Sequence, residues 1–280
     1  MGTSLPETAV SVTASLVNNN ELAVSNVVGS NIFNLMVVVG VCSILTPILV
    51  QKETIKRDIP FSMICAFLLL GLGILAVGDK SGMTLGHLDG MILLGFFAGY
   101  IVVMIQSAMK ARAAGKNVDM EGMEELEEEI GILSWPKSIL FIVGGALAIA
   151  FGGDLTVDAA SRIAIDLGMS QTLVGLTIVS IGTSLPELVT SVVAARKNEV
   201  DMAVGNAVGS NIFNILMVLG IASAINPVAL IRENIIDIVI LIVFSLIVWI
   251  YAATKRKISR KEGISMVCLY LIYAGYIIWR

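Results

Sequence analysis

Two copies of the hexapeptide GTSLPE, over Gly2–Glu7 and Gly182–Glu187, each place hydroxyls, a proline and a carboxylate inside an apolar stretch. Pro6 and Pro186 lack an N–H and clash with the carbonyl four residues back. A helix must therefore kink there, releasing the oxygens of Gly2 and Gly182 from the backbone ladder. One helical turn brings Thr3 and Ser4 onto the face of Glu7, and Thr183 and Ser184 onto the face of Glu187. An acid deep in an apolar segment is costly and marks an ion or proton pathway. The alternative, a protonated structural Glu, does not account for the same acid after the same proline twice. Two carboxylates facing each other repel unless a cation lies between them. Carboxylate, hydroxyl and released carbonyl oxygens are hard donors, of which calcium takes about six to eight. Magnesium sheds water reluctantly, and transition metals ask for His or Cys.

A second motif, GSNIFN, also occurs twice, over Gly29–Asn34 and Gly209–Asn214. Its glycines, Gly29 and Gly209, would let another helix approach closely. Ser30, Ser210, Asn34 and Asn214 are assigned to ligation as neutral oxygens. Asn31 and Asn211 stand equally between ligation and interhelical hydrogen bonding.

The elements that must carry these groups are membrane helices. The 280 residues are 56% hydrophobic and 14% charged, with a mean hydropathy of +0.90. That composition excludes a soluble globular enzyme, and a formal charge of −4 gives no footing for nucleic acid. The catalytic patterns HExxH, GxGD and GxSxG are missing, so no enzyme is expected. Cys42, Cys65 and Cys268 lie in apolar runs without CxxC spacing and read as packing residues. His87, with Asp89 nearby, reads as a polar residue of the outer loop region rather than a metal ligand. Nine apolar segments approach the length of a span: Gly2 to Val17, Leu22 to Leu49, Ile59 to Val77, Leu88 to Met109, Ser138 to Ala159, Thr172 to Ala195, Met202 to Leu230, Ile235 to Thr254 and Ile264 to Trp279. Asp154 and Asp158 fall at the expected outer end of the fifth.

Between them, Lys110 to Pro136 is the one extended hydrophilic stretch, with seven acids between Asp119 and Glu129 and no EF-hand spacing. Placing this linker in the cytoplasm puts fourteen Lys and Arg residues inside and four outside. The turn at Asn18 to Asn20 then faces out and that at Arg196 and Lys197 faces in. Gly2 to Pro47 matches Gly182 to Pro227 at a constant offset of 180, with about half the positions identical. Oppositely oriented copies make an inverted-topology repeat, the architecture of secondary transporters with a site at the midplane. The second copy has about 45 residues before its GTSLPE and the first has only Met1. The expected architecture is thus an all-α membrane protein of 5+5 transmembrane helices, N-terminally truncated so that the first helix and half of the second are lacking. Its parts are a first repeat over 1–109, an acidic linker over 110–136 and a second repeat over 137–280.

GTSLPE followed by GNAVGSNIFN, twice and in opposed orientation, resembles the α-repeats of the sodium/calcium exchanger branch of the calcium/cation antiporter superfamily. The resemblance implies that Glu7 and Glu187 bind calcium and sodium. It also implies further oxygens from Thr3, Ser4, Thr183, Ser184, Ser30 and Ser210, with Asn34 and Asn214 close to the ions. Some members, including potassium-dependent ones, have Asp where this chain has Asn214, so the resemblance argues against potassium cotransport. It implies sodium-for-calcium antiport by alternating access, with no cofactor, a monomeric transport unit in the lipid bilayer, and residence in a prokaryotic inner or plasma membrane. Proton/calcium antiport through the same acids is the alternative.

Overall fold

The computed structural model describes residues 3–16, 20–75, 83–115, 135–169, 171–197 and 200–279. Gly2, the turn at Asn18 and the acids of the linker lie outside them.

In lipid each backbone polar group must be satisfied within the protein, and the described residues comply by being helical almost throughout. Helix α1 (Leu5–Leu16) packs on α2 (Asn20–Phe33), which passes through a π-helical turn (Asn34–Val38) into α3 (Val39–Leu45). A two-residue strand, β1 (Ile48–Leu49), leads through a second π turn (Thr54–Asp58) to α4 (Ile59–Leu75). Strand β2 (Thr84–Leu85) and α5 (His87–Gly115) follow. Beyond the linker come α6 (Trp135–Asp166), α7 (Gln171–Val174), a third π turn (Gly175–Val179), α8 (Ser180–Thr183) and α9 (Leu185–Arg196). The order of the first copy then repeats. Helix α10 (Val200–Phe213), a π turn (Asn214–Val218), α11 (Leu219–Ile225), β3 (Val228–Ala229), α12 (Arg232–Lys255), β4 (Lys257–Ile258) and α13 (Arg260–Trp279) complete the chain.

Among the described residues, six stretches are helices long and apolar enough to cross a membrane: Leu22–Leu45, Thr54–Leu75, His87–Ser107, Ala203–Ile225, Arg232–Lys255 and Arg260–Trp279. Thr177–Thr183 and Leu185–Arg196 pass the same test as a pair bent by 46°. The segment read as Leu22 to Leu49 stops at Leu45, because Ile48 and Leu49 pair with Ile258 and Lys257 as a strand. Helix α6 runs past the expected end at Ala159 to Asp166. Asp154 and Asp158 therefore lie within the helix. Its stop is Gly168, at φ +88°, whose N–H donates to the Ile165 carbonyl while that of Met169 reaches Ala164. His87 is the first residue of α5 rather than part of a loop. Its Nδ1 donates to the Ala224 carbonyl at 2.9 Å, and Asp89 caps the helix by accepting the Gly86 N–H at 2.8 Å. Cys42 and Cys65 are buried as expected, whereas Cys268 is exposed.

The repeat is visible in the contacts themselves. β1 pairs with β4 and β3 with β2, both antiparallel. Phe33 meets Tyr270 edge to face at 5.6 Å, and its counterpart Phe213 meets Phe97 at 5.6 Å. Gly40 in α3 abuts Gly263 in α13, as Gly220 in α11 abuts Gly90 in α5. Reciprocal contacts between equivalent residues are the mark of a twofold relation. Helices α2 and α10 lie nearest the axis, with Ile32, Leu35 and Met36 and their counterparts Ile212, Ile215 and Leu216 fully buried.

Candidate ion-binding site

The prolines act as the sequence requires. The second GTSLPE breaks at Ser184 (φ −89°, ψ 4°), between α8 and α9, and Pro186 sits in the first turn of α9, where its missing N–H does least harm. Pro186 has no N–H for the Gly182 carbonyl. The Ser184 N–H instead turns toward the carbonyls of both Gly182 and Ser180. In the first copy Ser4 to Glu7 opens α1 in the same way, the Thr8 N–H reaching the Ser4 carbonyl at 3.2 Å.

These breaks bring the two acids together from opposite copies. The Ser4 hydroxyl donates to Glu187 Oε1 at 3.0 Å, and in exchange the Ser184 hydroxyl donates to Glu7 Oε1 at 3.2 Å. The Ser210 hydroxyl adds a second bond to Glu187 Oε1, also at 3.2 Å. Both carboxylates are fully buried, and Glu7 lies within reach of the charge on Glu187. Among the described residues neither pairs with a lysine or arginine, and Glu7 Oε2 and Glu187 Oε2 have no hydrogen-bond partner of good geometry. The Thr3 hydroxyl lies close to Glu187 but makes no hydrogen bond of good geometry.

Thr183 and Ser30 share a bond at 3.2 Å. Thr183 also donates to Asn26 Oδ1 at 3.2 Å, and Ser30 reaches the Ser180 carbonyl at 3.3 Å. Ser30 and Ser210, equivalent in sequence, thus do different things here: one faces a backbone oxygen, the other a carboxylate.

Of the two roles expected for Asn31 and Asn211, the interhelical hydrogen bonding is seen directly. Asn31 Nδ2 donates to the Asn211 carbonyl at 3.2 Å and Asn211 Nδ2 to the Asn31 carbonyl at 3.0 Å, a reciprocal clamp across the axis. Their side-chain oxygens accept from the outer pair, Asn34 Nδ2 on Asn211 Oδ1 and Asn214 Nδ2 on Asn31 Oδ1, each at 3.2 Å. Asn31 and Asn211 are therefore interhelical bonds, and their bonds fix which way the neighbouring amides point. Asn34 and Asn214 are left with Oδ1 buried and unpartnered, acceptors held in readiness. Both open a π turn, where one extra residue displaces the backbone ladder at a functional position.

Gly209 does not serve the close approach expected of it, since a Cβ there would meet nothing within 4 Å; Gly29 is buried. The expected carbonyl of Gly2 lies outside the described residues. Ser11 and Asn26, with Ser191 and Asn206, had drawn no role from the sequence. Asn26 bridges Ser11 Oγ (3.1 Å) to Thr183, and Asn206 bonds Ser191 Oγ (3.2 Å). Their recurrence at the offset of 180 was the available signal.

A buried set made only of carboxylate, hydroxyl and amide oxygens, negative overall and with five buried acceptor-capable oxygens unsatisfied, suits hard cations. Among the described residues there is no cluster of three His, Cys, Asp or Glu side chains, so a soft-metal centre is not on offer.

An all-helical membrane protein with buried oxygen donors at the meeting of two related halves has the architecture of a secondary transporter. The chain belongs to the sodium/calcium exchanger protein family, whose sequence profile matches residues 1–106 and 137–279 and breaks off over the acidic linker. It is 31% identical to the inner membrane protein YrbG of Escherichia coli (strain K12), over all of this chain and 82% of the relative. It is 31% identical to the sodium/calcium exchanger MaX1 of Methanosarcina acetivorans, over 98% of this chain and 85% of the relative. Among solved structures it is similar to the sodium-calcium exchanger NCX_Mj soaked with Na+ and Sr2+, with a TM-score of 0.75 and 29% identity over 98% of this chain and 83% of that one.

Proposed function

We propose that this chain exchanges sodium for calcium across a membrane by alternating access, at a site built from Glu7 and Glu187. The observation that carries the reading is the pair of buried carboxylates with no countercharge among the described residues, each with one oxygen tied to a serine of the other copy and one oxygen unclaimed. A calcium ion balances the pair, and the unclaimed oxygens of Glu7, Glu187, Asn34, Asn214 and Thr3 complete its shell with the carbonyl of Gly182. Sodium ions compete for the same oxygens, so one cargo leaves as the other enters. Three sodium ions for one calcium would move a net charge, worth about 2.3 kcal/mol per 100 mV. In this reading the repeats 1–109 and 137–280 take opposite orientations in a prokaryotic inner membrane, with residues 110–136 in the cytoplasm.

Calcium flux into proteoliposomes, with sodium and pH gradients imposed separately, tests the coupling. Flux driven by sodium alone is expected. Flux that follows a pH gradient and ignores sodium would replace this reading by proton/calcium antiport, since two protons also neutralise the two acids.

The asparagine clamp adds a second expectation. Asn31→Ala removes the acceptor of Asn214 Nδ2 and the donor to the Asn211 carbonyl, leaving buried groups that cost about 1–3 kcal/mol each when unpaired. Freed to rotate, Asn214 can turn its NH2 toward the cation. The concentration of calcium for half-maximal flux should rise about tenfold or more, and an unchanged value would reduce the clamp to packing.

A further inference from the structure

Away from the two acids, helices α4 and α5 leave a cavity of about 640 Å³ between them, lined by Arg57, Phe61, Gly95, Phe96, Gly99 and Tyr100 among others. Its walls are apolar, and α5 is the least buried of the six apolar helices, so the cavity opens toward the acyl chains of a bilayer. Gly95 and Gly99, one turn apart, form its floor: a Cβ at either would meet nothing within 4 Å. Phe61 and Tyr100, stacked at 5.0 Å and 7°, form a rigid aromatic wall.

One end of the cavity is polar. Arg57 Nε donates to Asp58 Oδ1 at 2.7 Å and Nη1 donates to Ser107 Oγ at 3.2 Å, so the guanidinium is held in place across the two helices. Nη2 has no acceptor among the described residues, and the side chain is 38% exposed. A guanidinium fixed on two of its nitrogens presents the remaining N–H groups as a preset fork, the geometry that matches phosphate. Lys52, Lys56 and Lys110 are exposed and close in the chain to Arg57 or Ser107, with the acids Glu53 and Asp58 among them. The local balance is positive.

We propose that this cavity binds one anionic phospholipid, its phosphate on Arg57 and an acyl chain along the Gly95–Gly99 floor. The combination of a basic rim and a long apolar slot is complementary to an anionic amphiphile as a whole. A second copy of the chain, the other occupant that a Gly-xxx-Gly floor admits, is disfavoured by the same rim. A twofold axis along the membrane normal would set the two Arg57 side chains level with one another, in a poorly solvated layer where like charges repel strongly.

The purified chain in detergent can be titrated with dioleoyl phosphatidylglycerol or dioleoyl phosphatidylcholine, reading bound lipid by native mass spectrometry and stability by thermal unfolding. Phosphatidylglycerol is expected to bind about fivefold to tenfold more tightly than phosphatidylcholine. Arg57→Gln should erase that preference, and Gly99→Leu, whose Cβ meets nothing within 4 Å and whose side chain would enter the slot, should lower the affinity for both lipids. Equal affinity of the unmodified protein for the two lipids would overturn the proposal, as would a preference that survives both substitutions. A dimer in lipid-free detergent that Gly99→Leu dissolves would overturn it in favour of the second copy.

Discussion

Glu187→Gln and Glu7→Gln should each abolish calcium flux while leaving the protein folded. Glutamine keeps the shape of the side chain and the oxygen that accepts the serine of the opposite copy. It removes the charge and puts an NH2 donor where the unclaimed Oε2 stood, aimed at the cation instead of ligating it. Deleting one member of a buried charge interaction costs about 2–5 kcal/mol, which corresponds to roughly 30-fold to several thousandfold in affinity. Since the two acids occupy equivalent places, the two variants should fail to similar extents and the double variant should add little. Fold and function separate cleanly in this test. Without a cation, two fully buried carboxylates repel, so either substitution should leave the melting temperature in calcium-free buffer unchanged or raised. Calcium itself should raise the melting temperature of the unmodified protein and of neither variant. Near-normal flux in either single variant would remove the carboxylate pair from the mechanism.

Gly90→Ala should be the most damaging small substitution outside the site. A Cβ at position 90 would lie 2.5 Å from the Ala224 nitrogen, 2.8 Å from the Gly220 oxygen and 2.9 Å from the Ser223 carbonyl carbon, all backbone atoms that no rotamer change can move. Helices α5 and α11 must separate to admit it, and with them the pairing of β2 with β3. At the equivalent crossing, Gly263→Ala meets the Gly40 oxygen at 2.7 Å and Ser43 Cβ at 2.9 Å. Overpacking a tight contact typically costs about 1–3 kcal/mol, and backbone against backbone belongs at or above the top of that range. Gly275→Ala, where the added methyl meets nothing within 4 Å, is the control and should be silent. Thermal unfolding in detergent decides the matter: equal melting temperatures for Gly90→Ala and Gly275→Ala would show that the crossing is looser than its geometry.

Much of the site was legible because the chain states it twice. Glu7 with Glu187, and Asn34 with Asn214, were readable from recurrence inside apolar sequence, where an ionisable or amide group needs a reason. Ser11 and Asn26 recur just as faithfully, yet a serine or asparagine on a helix carries no sign of its partner until the other helix is placed. The Gly209 reading failed for a related reason. A glycine announces that a close approach is possible, and only packing tells where one occurs: at Gly40, Gly90, Gly220 and Gly263 rather than at Gly209. Helix ends were the weakest inference, since Asp154 and Asp158 looked like a boundary while the stop was Gly168, in a left-handed conformation that favours glycine.

By itself the sequence determined the solvent, the helical class, the duplication and the chemical type of the donors, because each depends on composition and period alone. Tertiary structure decided who faces whom. That Ser4 serves Glu187 and Ser184 serves Glu7, and that Asn31 and Asn211 clamp one another so that Asn34 and Asn214 offer oxygen and not nitrogen, are relations between residues about 180 apart in the chain. No local rule reaches that far. They exist because two kinked copies cross at one axis, where each buried polar group must find its partner in the other half.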